Sequence, residues 1–154
     1  MKTTTENLTE KEIKTLRIIV FILSCLLFII SLTQTAYITE PADSIASHSF
    51  IAFLTGWLNF MGPGISWFAN PLLIISWILL LNNKIKFSLI SSFIAVLFCL
   101  SFLLFNKIAL DEAVNYGEIL GYRSGYWLWL ASCITVFIGS ILINHNEKNI
   151  NSDN

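Results

Sequence analysis

Apolar residues fill four intervals of the chain that carry no formal charge, and polar clusters separate them. Residues 18–39, 87–106 and 124–146 form charge-free intervals of 22, 20 and 23 residues. Each fits one crossing of a bilayer, which takes about 20 mostly apolar residues at 1.5 Å per residue. The interval between Asp43 and Lys84 holds 40 residues, roughly twice what one crossing helix needs. Gly62-Pro63-Gly64 breaks it in the middle. Its second half, residues 65–81, is a short span. Its first part, residues 50–61, would make a helix of about 18 Å, too short to cross. The pattern therefore predicts an all-α fold. It is an integral membrane four-helix bundle with one short non-crossing helix, interfacial or re-entrant, before the second span. The spans fall at about 17–38, 65–81, 87–105 and 126–143.

The connections are polar. Residues 1–14 form a polar N-terminus in which Thr9 and Glu12 have capping-box spacing. Residues 39–49, with Pro41, Asp43, Ser44 and Ser47, read as a loop, and 82–86 as a tight turn. Residues 106–123, carrying Asp111, Glu112 and Glu118, read as an acidic loop. The Asn-rich tail, 144–154, reads as disordered. The first apolar core is followed by Thr33-Gln34-Thr35-Ala36-Tyr37, without a small-x-small cleavage pattern. A retained anchor is expected there rather than a cleaved signal. The single transmembrane domain thus covers 15–143.

Composition strengthens this picture. The chain is 55% hydrophobic and 12% charged, against about 25% charged residues in soluble domains. Lipid must cover part of so much apolar surface, so the bilayer itself is the first partner. A net charge of −1 gives no nucleic-acid footprint. With four spans, Lys2, Lys11, Lys14, Arg17, Lys84, Lys86 and Lys148 fall on one side. Only Lys107 and Arg123 fall on the other. The positive-inside rule puts both termini in the cytoplasm.

Small residues recur at helical spacing: Ser24, Ser31 and Thr35 in the first span, and Ser88, Ser92, Ala95 and Cys99 in the third. The fourth carries Gly121, Gly125, Ser132 and Gly139. Such residues let membrane helices approach closely. They predict seams with neighbouring spans or, alternatively, a homodimer face. Cys25, Cys99 and Cys133 lie in separate apolar runs and read as small packing residues, without the pairing a disulfide would need.

Three groups of unusual residues converge on the outer side. They are Gly56-Trp57-Leu58-Asn59, Ser66-Trp67-Phe68-Ala69-Asn70-Pro71 and the run from Gly121 to Trp129. One reading is structural: Trp and Tyr anchor at the interface, and Asn70 bonds the backbone freed by Pro71. The other is a shallow outward pocket for a lipid headgroup, a peptide or a partner protein's helix. Arg123 would be its cation, with Asn59, Asn70 and Gln34 as polar lining. Trp57, Trp67, Tyr122, Tyr126 and Trp127 would be its walls. Asp111 and Glu118 are the ordinary ion-pair partners for Arg123. The Gly-Trp…Trp-Phe-Ala-Asn-Pro-Leu-Leu and Gly-Tyr-x-x-Gly-Tyr-Trp-Leu-Trp-Leu-Ala-Ser strings resemble small four-span bacterial membrane proteins without an assigned activity. The resemblance implies the architecture and a bacterial inner membrane. It carries over no site residues.

Catalytic signatures are missing from the sequence. No Asp, Glu, Lys, Arg or His stands in the core of a span, where proton relays and ion pathways need them. There is no metal-ligand spacing and no cofactor-binding motif. His48 reads as a solvated loop residue. An enzyme would have to assemble Asp43, His48, Glu118 and Arg123 at the outer face. The expectation is a non-catalytic membrane protein whose outer face binds a partner protein or lipid. The alternatives are an immunity-type protein against a membrane-active toxin, or a small oligomeric carrier or channel with a pore built from the Ser and Thr seams.

Overall fold

The computed structural model describes residues 9–40, 47–59, 62–109 and 116–152. Helix α1, Glu10–Leu32, starts at the capping box. Glu12 Oε2 accepts from the Thr9 backbone N–H at 2.7 Å, and Thr9 Oγ1 accepts from the Glu12 N–H, which satisfies two donors that a helix start leaves open. Strand β1, Tyr37–Thr39, follows. Helix α2, Ser49–Thr55, passes into a 3₁₀ turn, Gly56–Asn59. A 3₁₀ segment, Pro63–Phe68, leads into α3, Ala69–Leu81. Helix α4, Ile85–Ser101, precedes β2, Lys107–Ala109, and β3, Tyr116–Tyr122. Helix α5, Ser124–Ser152, is the last described element.

Among the described residues, four helical stretches are long and apolar enough to cross a membrane, at Glu10–Leu32, Pro63–Leu81, Ile85–Leu104 and Ser124–Ile150. The fold is therefore that of a multi-pass helical membrane bundle, with the short α2 before the second span. The 13 residues of α3 rise only about 20 Å. The 6 residues of the 3₁₀ segment add about 12 Å at about 2.0 Å each. Together they reach roughly 32 Å, enough for the hydrocarbon thickness. Pro63 at the first helical position fits that start, because its missing N–H would be unpaired there anyway.

Small residues join the helices. Ser24 Oγ donates to the Ser132 carbonyl at 2.9 Å and accepts from Trp77 Nε1 at 2.9 Å, linking α1, α5 and α3. Ser88 Oγ reaches the Ser76 carbonyl at 2.9 Å and lies 3.1 Å from Ser140 Oγ. A Cβ on Gly139 would lie 3.1 Å from Val20 Cβ and overlap its methyl groups. The seams thus face neighbours within the chain. Large apolar side chains on the other faces, such as Ile19, Leu26, Ile78 and Phe87, are exposed, as lipid contact requires.

Several expectations change. The first span ends at Leu32, not near residue 38. The parts of 39–49 and 106–123 described as loops contribute to a three-stranded antiparallel sheet in the order β1-β3-β2. Tyr37 faces Tyr122, Ile38 faces Gly121, and Ile108 faces Gly117. Gly121 is therefore a strand residue with open space around it, so Gly121 and Gly125 do not form a helical seam. Residues 144–152 are helical rather than disordered. Arg17 holds that extension, donating to Glu147 Oε1 at 2.6 Å and to Asn83 Oδ1 in the α3–α4 turn. This places the N-terminal part of α1, the α3–α4 turn and the end of α5 at one end of the bundle, with the sheet at the other. The cysteines are free, as expected of packing residues, and Cys99 and Cys133 are buried with their sulfurs 3.4 Å apart between α4 and α5.

Candidate functional site

The sheet and α2 cover the end of the bundle away from Arg17 and Glu147. Three backbone hydrogen bonds fix this cover. The Ala36 N–H donates to Ser47 O at 2.8 Å, Ser49 N–H to Gln34 O at 3.0 Å, and Arg123 N–H to Ala36 O at 2.8 Å. The start of α5 fits beneath it because Gly125 has no side chain. A Cβ there would lie 2.7 Å from the Thr35 carbonyl oxygen.

Under this cover lies a cavity of about 140 Å³. Its walls include Phe53, Trp67, Phe102, Tyr126 and Trp129, together with Tyr37 of β1. The aromatic rings support one another: Tyr37 and Phe102 centroids are 5.5 Å apart, and Tyr126 sits 5.8 Å from Phe102 and 6.1 Å from Trp129. Such tilted and edge arrangements suit the ring quadrupoles. Tyr126 Oη donates to the Cys99 carbonyl at 3.2 Å.

Polar groups in the wall are neutral. Ser31 and Ser66 return their hydroxyl protons to Phe28 and Pro63 carbonyls, both at 2.7 Å. Ser49 Oγ is buried with no hydrogen-bond partner. Asn70 is 5% exposed, and its Oδ1 accepts from Trp129 Nε1 at 2.9 Å. That bond replaces the expected one to backbone freed by Pro71. Asn70 makes no other side-chain hydrogen bond among the described residues, and its Nδ2 is not one of the fully buried unpartnered atoms. Among the described residues, no Asp, Glu, Lys, Arg or His lines the cavity. Burial pushes the Tyr37 phenol up to about 12 and raises that of Tyr122, so both stay neutral at physiological pH.

A shallow groove adjoins the cavity, formed by Phe53, Leu54, Trp57, Trp67 and Phe68. Phe53 and Trp67 line both spaces. Trp67 Nε1 donates to the Phe53 carbonyl at 2.6 Å, and Trp57 Nε1 to Leu54 O at 2.9 Å. Both indoles thereby serve the last carbonyls of α2, which a helix end leaves open.

The structure brings together some of the expected residues and not others. Trp67, Asn70 and Tyr126 meet at the cavity, and Trp57 stands in the groove. Tyr122 packs behind Tyr126 with centroids 5.0 Å apart, and the exposed Trp127 lies edge-on to Tyr126 at 5.0 Å. Arg123 is exposed and is not the cation of the cavity. It forms no ion pair among the described residues, because Glu118 pairs with Lys107 at 3.7 Å instead. Asp43, Asp111 and the side chain of Asn59 lie outside the described residues. Gln34 is also apart from the cavity, accepting from Ser124 Oγ at 3.3 Å. His48 is exposed at the start of α2. The described part of the cavity wall is uncharged and does not include Arg123, the cation expected for a pocket here. Sequence reasoning missed Tyr37, Phe53, Phe102 and Trp129 as wall residues. Only Trp129 carried a signal, inside the quoted Gly-Tyr-x-x-Gly-Tyr-Trp-Leu-Trp string.

Comparison with protein families, with curated proteins and with solved structures gives no match to this chain.

Proposed function

We propose that this is a non-catalytic multi-pass protein of a bacterial cytoplasmic membrane that binds a lipid at its outer end. The observation that carries the reading is the neutral, aromatic-walled cavity joined to a groove of exposed apolar side chains. Concave, mostly apolar sites with few polar groups are the usual form of small-molecule sites. The groove side chains Leu54, Trp57 and Phe68 are each 42% exposed or more. In a membrane protein, lipid is the solvent at hand for such a surface.

Orientation follows from charge. The termini and the α3–α4 turn carry most of the lysines, which supports a cytoplasmic position for them and an outer one for the sheet. Reporter fusions at Asn83 and Asn154 that both read as external would overturn that placement. A pore built from the serine seams is disfavoured, since Ser24, Ser88 and Ser91 use their hydroxyls on carbonyls inside the bundle. The seam contacts of Gly139 and Ser132 are likewise made within one chain, so they do not call for a homodimer.

The test is native mass spectrometry of the full chain, first stripped of lipid and then offered a bacterial lipid extract. One retained lipid per protein is expected, lost in Ala52→Phe, which puts a ring into the cavity. A wild-type protein that retains no lipid at any concentration would sink the reading.

A further inference from the structure

We infer that the cavity takes the ring head of an uncharged prenyl-quinone-type lipid, whose single apolar tail leaves along the Phe53–Trp57–Trp67 groove. This rests on the lipid-binding reading above and narrows it by size, charge, hydrogen bonding and shape.

Size comes first. The cavity is about 140 Å³, and an apolar cavity of about 150 Å³ holds one benzene-sized ring. A phospholipid head with its phosphate and substituent is larger. Charge points the same way. Among the described residues, no ionisable side chain other than the buried Tyr37 and Tyr126 lines the walls, and Arg123 stands outside. A phosphate brought into this space would be a buried, unpaired charge, which is strongly disfavoured. The wall does offer a donor. Asn70 gives its carbonyl oxygen to Trp129 and makes no other side-chain hydrogen bond among the described residues, so its amide N–H is available to donate. The complementary group is an acceptor such as a ring carbonyl. The walls present aromatic surface from Phe53, Trp67, Phe102, Tyr126 and Trp129, which suits offset packing against a flat ring. One groove adjoins the cavity through Phe53 and Trp67. That matches one tail, whereas a diacylglycerol would bring two.

The proposal concerns binding and positioning, and it assigns no electron transfer to this chain. The experiment titrates the purified full chain, in neutral detergent, with a short-tailed plastoquinone, whose head is a single benzoquinone ring. Quenching of tryptophan fluorescence reports binding, and native mass spectrometry reports stoichiometry. Saturable one-to-one binding is expected, weakened about tenfold in Asn70→Leu, which corresponds to the loss of one useful hydrogen bond. Ala52→Phe should abolish it. Ala52 is on the cavity wall and half-buried, so this variant still decides the matter if Asn70→Leu fails to fold. Parallel titrations use dioleoylglycerol and dioleoylphosphatidylglycerol. If either of these is retained instead of the quinone and is lost in Ala52→Phe, the quinone assignment falls and the lipid reading stands. If none of the three is retained, both fall. Equal quinone binding by wild type and Ala52→Phe would also overturn the assignment.

Discussion

Gly125 at the start of α5 packs against Ser49 at the start of α2 with no room between them for a side chain. A Cβ on Gly125 would overlap Ser49 Oγ and lie 2.7 Å from the Thr35 carbonyl oxygen. The glycine is required for space and not for its backbone angle, since no glycine among the described residues has positive φ. Gly125→Ala should therefore cost about 1–3 kcal/mol by overpacking. Ser49→Ala alone should be near neutral, because the Ser49 hydroxyl has no partner to lose. Ser49→Ala should rescue Gly125→Ala only in part, since the Thr35 carbonyl stays in place. Thermal unfolding in detergent checks all three variants. Wild-type stability for Gly125→Ala would contradict the packing.

Arg17 and Glu147 tie the end of α5 to α1. The side chains are 16% and 31% exposed, between a surface pair worth about 0–1 kcal/mol and a buried one worth more when broken. Glu147→Gln should cost about 1–2 kcal/mol. The loss should appear as faster hydrogen exchange in residues 144–152. Arg17→Lys should not restore the wild-type value, because one ammonium replaces a fork that reaches both Glu147 and Asn83. Unchanged exchange in both variants would show that the pair does not hold the extension.

The parts of this fold that were legible in the sequence are those that lipid dictates. A crossing must be an unbroken apolar run, so the four spans stood out. Thr9 with Glu12 marked the start of α1 by a side-chain bond that spacing alone reveals. The sheet was hidden because β1 and β2 are short and Glu118 lies within β3, so polar strands resembled loops. The tail was hidden because its order depends on Arg17, 130 residues away in sequence. The cavity was half legible. Trp67, Asn70 and Tyr126 were marked by their types. Their grouping with Phe53 and Tyr37 depends on how α2 and β1 fold back over α5. Arg123 misled because a cation among aromatics suggests a site, whereas its backbone alone joins the structure, at Ala36.

Tyr37 makes stability depend on alkaline pH. Its phenol is pushed up to about 12 by burial, from an ordinary value of 10.0. Between these values the unfolded chain has released the proton and the folded chain has kept it. The unfolded state then binds fewer protons, so stability falls as pH rises. This contribution is fully present below pH 10 and is lost progressively toward pH 12, by at most about 3 kcal/mol. Unfolding midpoints across this range should fall less steeply in Tyr37→Phe than in wild type. Parallel slopes in the two proteins would place the Tyr37 phenol in water.

Trp67 should control α2 without controlling the bundle. Its indole N–H donates to the Phe53 carbonyl at 2.6 Å, inside the last turn of α2. Gly56 leaves room for the ring, since a Cβ there would come within 3.0 Å of Trp67 Cδ1. Helix α2 spans only 7 residues, and its N-cap, His48, makes no side-chain capping bond. An isolated helix this short is not stable, so tertiary contacts must hold it. Trp67→Phe keeps an aromatic ring against the groove and removes the donor, at a cost of about 1 kcal/mol. The expected result is roughly fivefold faster hydrogen exchange in residues 50–55, with α1, α3, α4 and α5 unchanged. Ligand retention should weaken in the same variant, because Phe53 and Trp67 form the boundary between groove and cavity. If exchange rises throughout the bundle instead, Trp67 belongs to the global core and α2 is not an independently loosened cover.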